Sequence, residues 1–174
     1  MPSRAGEIFK RFGFNMEQKL PVDQRIELQV AILNAHLADI AAMNGSPFVS
    51  DRSTLDFAAY LTLHTMHDAT TEERQIVEKY VQDCLKIATW KYYGVVLVQP
   101  GIPYEEAEGK PKNNALIQEA FNGLCMSYMR DKKLDCGAYM FERHLTDLDT
   151  RMESSLAIWN MLLHDLRPEK SVTH

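Results

Sequence analysis

The chain is poor in the residues that cross-link or punctuate a fold. It holds three cysteines, Cys84, Cys125 and Cys136, in 174 residues. The number is odd and no Cys-x-x-Cys pair occurs, so the pattern is neither a disulfide framework nor a zinc ribbon. The three read as reduced, mostly buried thiols of a cytosolic protein. Glycine (8) and proline (7) are sparse, so the elements between them should be long. A membrane span needs roughly twenty apolar residues, and the longest nearly unbroken run here is only Tyr92–Val98. At the N-terminus, Arg4, Glu7, Lys10 and Arg11 interrupt any apolar stretch that a secretory signal would require. Positive charge is scarce as well. Nineteen Lys and Arg stand against 24 Asp and Glu, a net charge of −5, which argues against a nucleic-acid partner and its usual basic footprint.

The common signatures of nucleotide and hydrolase chemistry are also missing. There is no Gly-x-x-x-x-Gly-Lys-Ser/Thr phosphate cradle, no Gly-x-Gly-x-x-Gly and no Gly-x-Ser-x-Gly elbow. No Glu-x-x-His pair occurs, so a ferritin-like di-iron bundle lacks its main mark. No segment recurs at a fixed period.

What is present is a 45% apolar share, enough for a substantial core, laid out with helical spacing. A short first helix, about residues 3–12, gathers Ile8, Phe9 and Phe12 on one face. Basic neighbours allow a membrane-touching reading, and its shortness favours a clamp across a bundle. Pro21 and Asp23 open a second helix that stops at Asn44-Gly45. Its seam is Ile26, Val30, Leu33, Leu37 and Ile40. A second line of alanines (Ala31, Ala35, Ala38, Ala42) would admit a close neighbour. Ser53-Thr-Leu-Asp56 and Thr70-Thr-Glu-Glu73 are capping boxes for the third and fourth helices. Tyr92–Val98 has the β-branched and aromatic content of a strand. No alternating segment offers it a partner, so it is expected to be the buried end of the fourth helix. Residues 99–112, with three prolines and two glycines, form the one long loop, either a lid or a plain connection. Asn113 or Asn114 starts a fifth helix carrying Ile117, Phe121, Leu124 and Tyr128.

The longest periodic signal lies at the C-terminus. Leu134, Ala138, Phe141, Leu145, Leu148, Met152, Ser155, Trp159, Leu162 and Leu166 follow steps of 4 and 3 without a slip. This predicts a long last helix with left-handed packing, stopped by Pro168, with a frayed tail over 168–174. Its narrow first half suits a homodimer seam as well as an intramolecular bundle. Five of the nine methionines, Met126, Met129, Met140, Met152 and Met161, fall in the last two predicted helices. They read first as packing and second as an adaptable partner groove. The residues proposed for an interface are Met140, Leu145, Leu148, Met152, Trp159 and Met161.

The histidines carry the one catalytic reading. Phe57, Tyr60, His64 and His67 share a helical face, and two imidazoles one turn apart can hold a metal ion if other helices add ligands. His36 with Asp39, and Asp131 with Asp135, are further donors. The order His36, then His67-Asp68 ending the apolar helix Leu61-Thr-Leu-His-Thr-Met, then Met129-Arg-Asp131-Lys-Lys-Leu-Asp135, resembles the HD-domain metal-dependent phosphohydrolases. That resemblance implies an all-helical fold. It also implies a divalent ion on His36, His67, Asp68 and Asp131 or Asp135, activating water against a phosphate ester. A sensor of small ligands built on Tyr92-Tyr93 beside the long loop is a further possibility; a well-formed pocket there would support it.

Taken together, residues 1–174 are expected to form one all-α domain of five or six helices with a long C-terminal helix. The leading functional expectation is a non-catalytic cytosolic interaction or regulatory protein, self-associating through that helix. It would have no cofactor, no nucleic-acid partner and no membrane segment. The alternative is the HD-like phosphohydrolase, with His36, His64, His67, Asp68, Asp131 and Asp135 as the metal-ligand pool.

Overall fold

The computed structural model describes residues 5–14, 19–101 and 114–165. The predicted frayed tail and most of the long loop lie outside these residues. The described chain is mostly helical: α1 (Ala5–Arg11), α2 (Val22–Ala42), α3 (Thr54–Thr65), α4 (Thr71–Lys91), β1 (Gly94–Val98), α5 (Ala115–Met129), β2 (Gly137–Phe141) and α6 (Leu148–Asp165). The all-α class with five or six helices therefore holds, with one short sheet added.

Local chemistry sets most of the helix starts. Ser53 accepts from the Leu55 N–H while Asp56 reaches back to the Ser53 N–H at 2.8 Å. Thr70 and Glu73 close the same box on α4. Asn114 caps α5 through Leu116 and Ile117. Each such cap satisfies amide groups that a helix start leaves open, worth about 1 kcal/mol. None of the helices among the described residues is long and apolar enough to cross a membrane.

The core forms where α2, α3 and α4 meet. Leu28, Ile32 and Leu33 of α2 pack with Leu55, Phe57, Ala58 and Leu61 of α3 and with Val77, Tyr80, Val81, Cys84, Leu85 and Ala88 of α4. Ala58 and Ala59 are fully buried, and their small size lets α3 approach its neighbours closely. The Thr54 hydroxyl, also buried, donates to the Cys84 carbonyl at 2.8 Å. The short α1 is the expected clamp: Ile8 is buried, and Phe9 and Phe12 pack on the core. The predicted α2 seam is off by part of a turn, because Val30 points outward while Leu28 and Ile32 are buried.

Two corrections concern the C-terminal half. Tyr92–Val98 is not the end of α4. The helix stops at Tyr92, whose backbone is extended (φ −118, ψ 139), and β1 follows. Its partner is β2, paired in parallel with Val95 opposite Ala138 and Leu97 opposite Met140. Parallel strands need a crossover connection, and here it includes α5. Nor is there one helix from Leu134 to Leu166. Leu134 lies in a turn, Ala138 and Phe141 in β2, and Leu145 in the turn before α6. Of the described seam residues, Leu148, Met152, Ser155, Trp159 and Leu162 are helical. The sheet also accounts for two glycines. A Cβ at Gly137 would sit 2.8 Å from the Tyr139 ring, and one at Gly94 would sit 3.0 Å from both that ring and Leu162 of α6.

Candidate functional site

The predicted metal-ligand pool is spread over distinct surroundings. His36 Nε2 lies 2.6 Å from the Tyr92 hydroxyl, and its ring meets Phe57 edge-on at 5.2 Å. Burial lowers the His36 pKa, partly opposed by Asp39 and Asp56. His64 stacks on Tyr60 at 5.6 Å. Partial desolvation there and the nearby Arg25 cation lower its pKa. His67 is exposed just past α3. Asp68 pairs with Arg25 at 3.3 Å and Lys19 at 3.4 Å, and these cations hold its carboxyl below the usual range.

Arg25 stands at the start of α2, eleven residues before His36, about 16 Å along the helix axis. The two ends of the proposed ligand set are thus fastened to different levels of one helix. Asp131 and Asp135 follow α5 rather than opening a helix. Asp131 caps the Lys133 N–H at 2.8 Å, and the Asp135 N–H bonds Thr89. Among the described residues no group of three or more His, Cys, Asp or Glu side chains is placed to hold a metal ion. The thiols are buried or half-buried and free. Burial pushes Cys84 and Cys125 each up to about 12, far from the range of a reactive thiolate.

The residues proposed for an interface fare differently. Met140, Leu148, Met152 and Met161 are exposed, and Leu145 and Trp159 are half-buried. None of residues 148–164 of α6 is buried. Ser154, Ile158 and Leu162 turn toward the rest of the fold. Leu148 (68% exposed), Met152 (57%) and Leu156 (53%) follow one another at steps of four, and Leu163 continues the line seven residues later. Asp147 caps this helix, accepting from the Thr150 N–H at 2.8 Å and its hydroxyl at 2.6 Å.

An open space of about 1910 Å³ runs over the helical core, lined by residues from α1 to α6 and including β1. Phe48, Tyr92, Tyr93, Phe121 and Trp159 give its walls their aromatic character. Arg52 and Asp56 pair at 3.3 Å on its lining. Arg52 has φ 111, a region unfavourable for a residue with a side chain. Its guanidinium lies 5.6 Å from the Tyr60 ring centre. Asn122 also lines this space and is 5% exposed, and its Oδ1 has no hydrogen-bond partner. Sequence reading gave Asp56 as a capping residue and did not single out Arg52 or Asn122. Tyr92 and Tyr93 are among the residues lining this space.

No protein-family model, no curated protein and no solved structure matches the chain.

Proposed function

We propose that this is a non-catalytic cytosolic interaction protein, with a second copy of itself as partner, associating through α6. The supporting observation is the exposed line Leu148, Met152, Leu156 and Leu163 on a helix in which none of residues 148–164 is buried. Spacing of four and seven is what a helix presents to another helix. A second copy offers the same line, so a two-fold pairing of α6 with α6 covers both at once. Met within the line adds a side chain that adapts to its neighbour.

Light scattering coupled to size exclusion tests this. At about 50 µM, a dimer with Kd near 1 µM is mostly associated. The expected result is a dimer that Met152→Glu with Leu156→Glu converts to monomer. A strict monomer at that concentration would end the self-association reading. The HD-like alternative is tested on the same preparation by elemental analysis and phosphatase assays with Mn or Co. Metal retained by the wild type and lost in Asp68→Ala, together with phosphatase activity, would replace the present reading.

A further inference from the structure

We infer that the outer edge of β1 is a docking edge for an extended, uncharged apolar segment of a partner protein, which adds a third strand beside it. This surface is separate from the outer line of α6, and the inference does not depend on the pairing of α6.

The backbone is the starting point. In a parallel ladder alternate residues of a strand turn both their N–H and their C=O to the same neighbour. The Gly137 N–H donates to the Tyr93 carbonyl at 2.9 Å, and the Gln99 N–H donates to the Phe141 carbonyl at 3.2 Å. With the register of Val95 opposite Ala138, Tyr93, Val95, Leu97 and Gln99 therefore face β2. Gly94, Val96 and Val98 face the other way. Among the described residues no main-chain group bonds to these three outward positions. Unpaired strand edges are templates for another strand, and folds guard them with charge, proline or a bulge. β1 has none of these within it. The stretch Tyr92–Gln99 carries no charge, and its only proline neighbour, Pro100, lies past the strand. The outer edge of β2 differs, since Asp135, Glu142 and Arg143 flank it.

The surroundings narrow the occupant. Every residue of β1 lines the open space over the core, and Val96 (36% exposed) and Val98 (50%) present apolar side chains there. Ile117 and Phe121 of α5 and Ile158 and Leu162 of α6 line the same space. Residues 115–118 and 154–163, the parts of these helices nearest in the lining, carry no charge, so a charged segment would lose hydration there without gaining a partner. Outward donors and acceptors recur every second residue, about 6.6 Å apart, which is the repeat of an extended peptide and not of a compact ligand. At about 1910 Å³ the space also exceeds the 300–1,000 Å³ or so of small-molecule sites. A second copy is a poorer fit. α5 packs on β1, and Leu162 of α6 reaches Gly94, so each copy would bring its own helices to the meeting of the two edges. A free segment brings only its own width, as in strand addition generally.

The experiment uses the full chain and two acetylated, amidated peptides, Thr-Val-Thr-Val-Thr-Val-Thr and Thr-Phe-Thr-Val-Thr-Phe-Thr. Each is compared with a form N-methylated at every residue, which keeps the side chains and removes the donors. Amide exchange by NMR is the readout, with calorimetry for affinity. In the free chain the amides of Gly94, Val96 and Val98 should exchange faster than those of Val95 and Leu97. At least one unmethylated peptide should slow those three by roughly tenfold or more, and its methylated form should leave them unchanged. Val96→Pro removes an outward N–H without breaking a bond to β2; it should weaken the peptide roughly tenfold or more with a near-normal melting temperature. Should that variant fail to fold, Val96→Lys places a charge on the edge and carries the same expectation. The variant Met152→Glu with Leu156→Glu should bind the peptide as the wild type does. Absence of slowing with both peptides would overturn the inference, and so would equal binding of the methylated forms. Slowing that grows with protein concentration without peptide, in a dimer that survives the α6 variant, would assign the edge to a second copy instead.

Discussion

Helices α3 and α6 stand at opposite extremes of the same fold. Seven of the twelve residues of α3 are buried, and none of residues 148–164 of α6 is. Both have capped starts, yet α3 is wedged among α2, α4 and α5 while α6 rests on the sheet by one face. The difference teaches where stability resides. Burial of apolar surface contributes about 25 cal/mol per Å², so α3 anchors the molecule and α6 adds little to its stability.

Truncation should separate them most sharply. Leu61→Ala removes a side chain that is 1% exposed and should cost about 2–5 kcal/mol in urea unfolding. Leu156→Ala on α6 should stay within about 0.5 kcal/mol. Equal losses at the two sites would mean that α6 has a buried face after all. The next effect is expected at the foot of the sheet. A Cβ at Gly101 would lie 2.0 Å from the Arg143 carbonyl oxygen. Arg143 itself ties Gln99 at 3.3 Å and Glu119 at 2.5 Å. Gly101→Ala must push these backbones apart and should lower stability by about 1–3 kcal/mol. An unchanged thermal midpoint would show that the sheet end is loosely held. Helix caps come third. Ser53→Ala should cost about 1 kcal/mol of global stability. Asp147→Ala, at the start of a helix whose residues 148–164 are exposed or half-buried, should fray α6 and raise its amide exchange while leaving the global midpoint nearly unmoved.

How much of this was legible depended on distance along the chain. The boxes Ser53–Asp56 and Thr70–Glu73 and the cap at Asn114 are local devices, and they lie where the sequence puts them. The sheet was missed because β2 is hidden inside a helical rhythm. Ala138 and Phe141 fit steps of 4 and 3, while Gly137, which tucks beneath the Tyr139 ring, breaks no pattern that spacing can register. Without β2, the strand at 94–98 had no visible partner. Long-range side-chain surroundings were illegible for a related reason. Asn122 is an ordinary polar residue until packing deprives its oxygen of a partner, and the bond between His36 and Tyr92 joins positions 56 apart.

The smallest expected effect belongs to acid, and it too divides the two regions. Burial lowers the pKa of His36, and it also lowers that of His64, with help from Arg25. In the unfolded chain both should titrate near 6.5. Between that value and their lower folded values the unfolded state binds more protons. Stability is therefore level above about pH 7 and declines as pH falls from 6.5 through the folded values. Asp68 and Asp147, whose carboxyl pKa values are lowered, act later: their contribution is present above the usual carboxylate range and lost as pH falls through their folded values. Urea unfolding at about pH 7.5, 6 and 5 should show the first decline, and His36→Gln should shrink it, because a glutamine can still meet the Tyr92 hydroxyl but takes up no proton. An undiminished decline in His36→Gln combined with His64→Gln would place the acid sensitivity outside the α2–α3 region, and with it the claim that this region governs the stability of the whole.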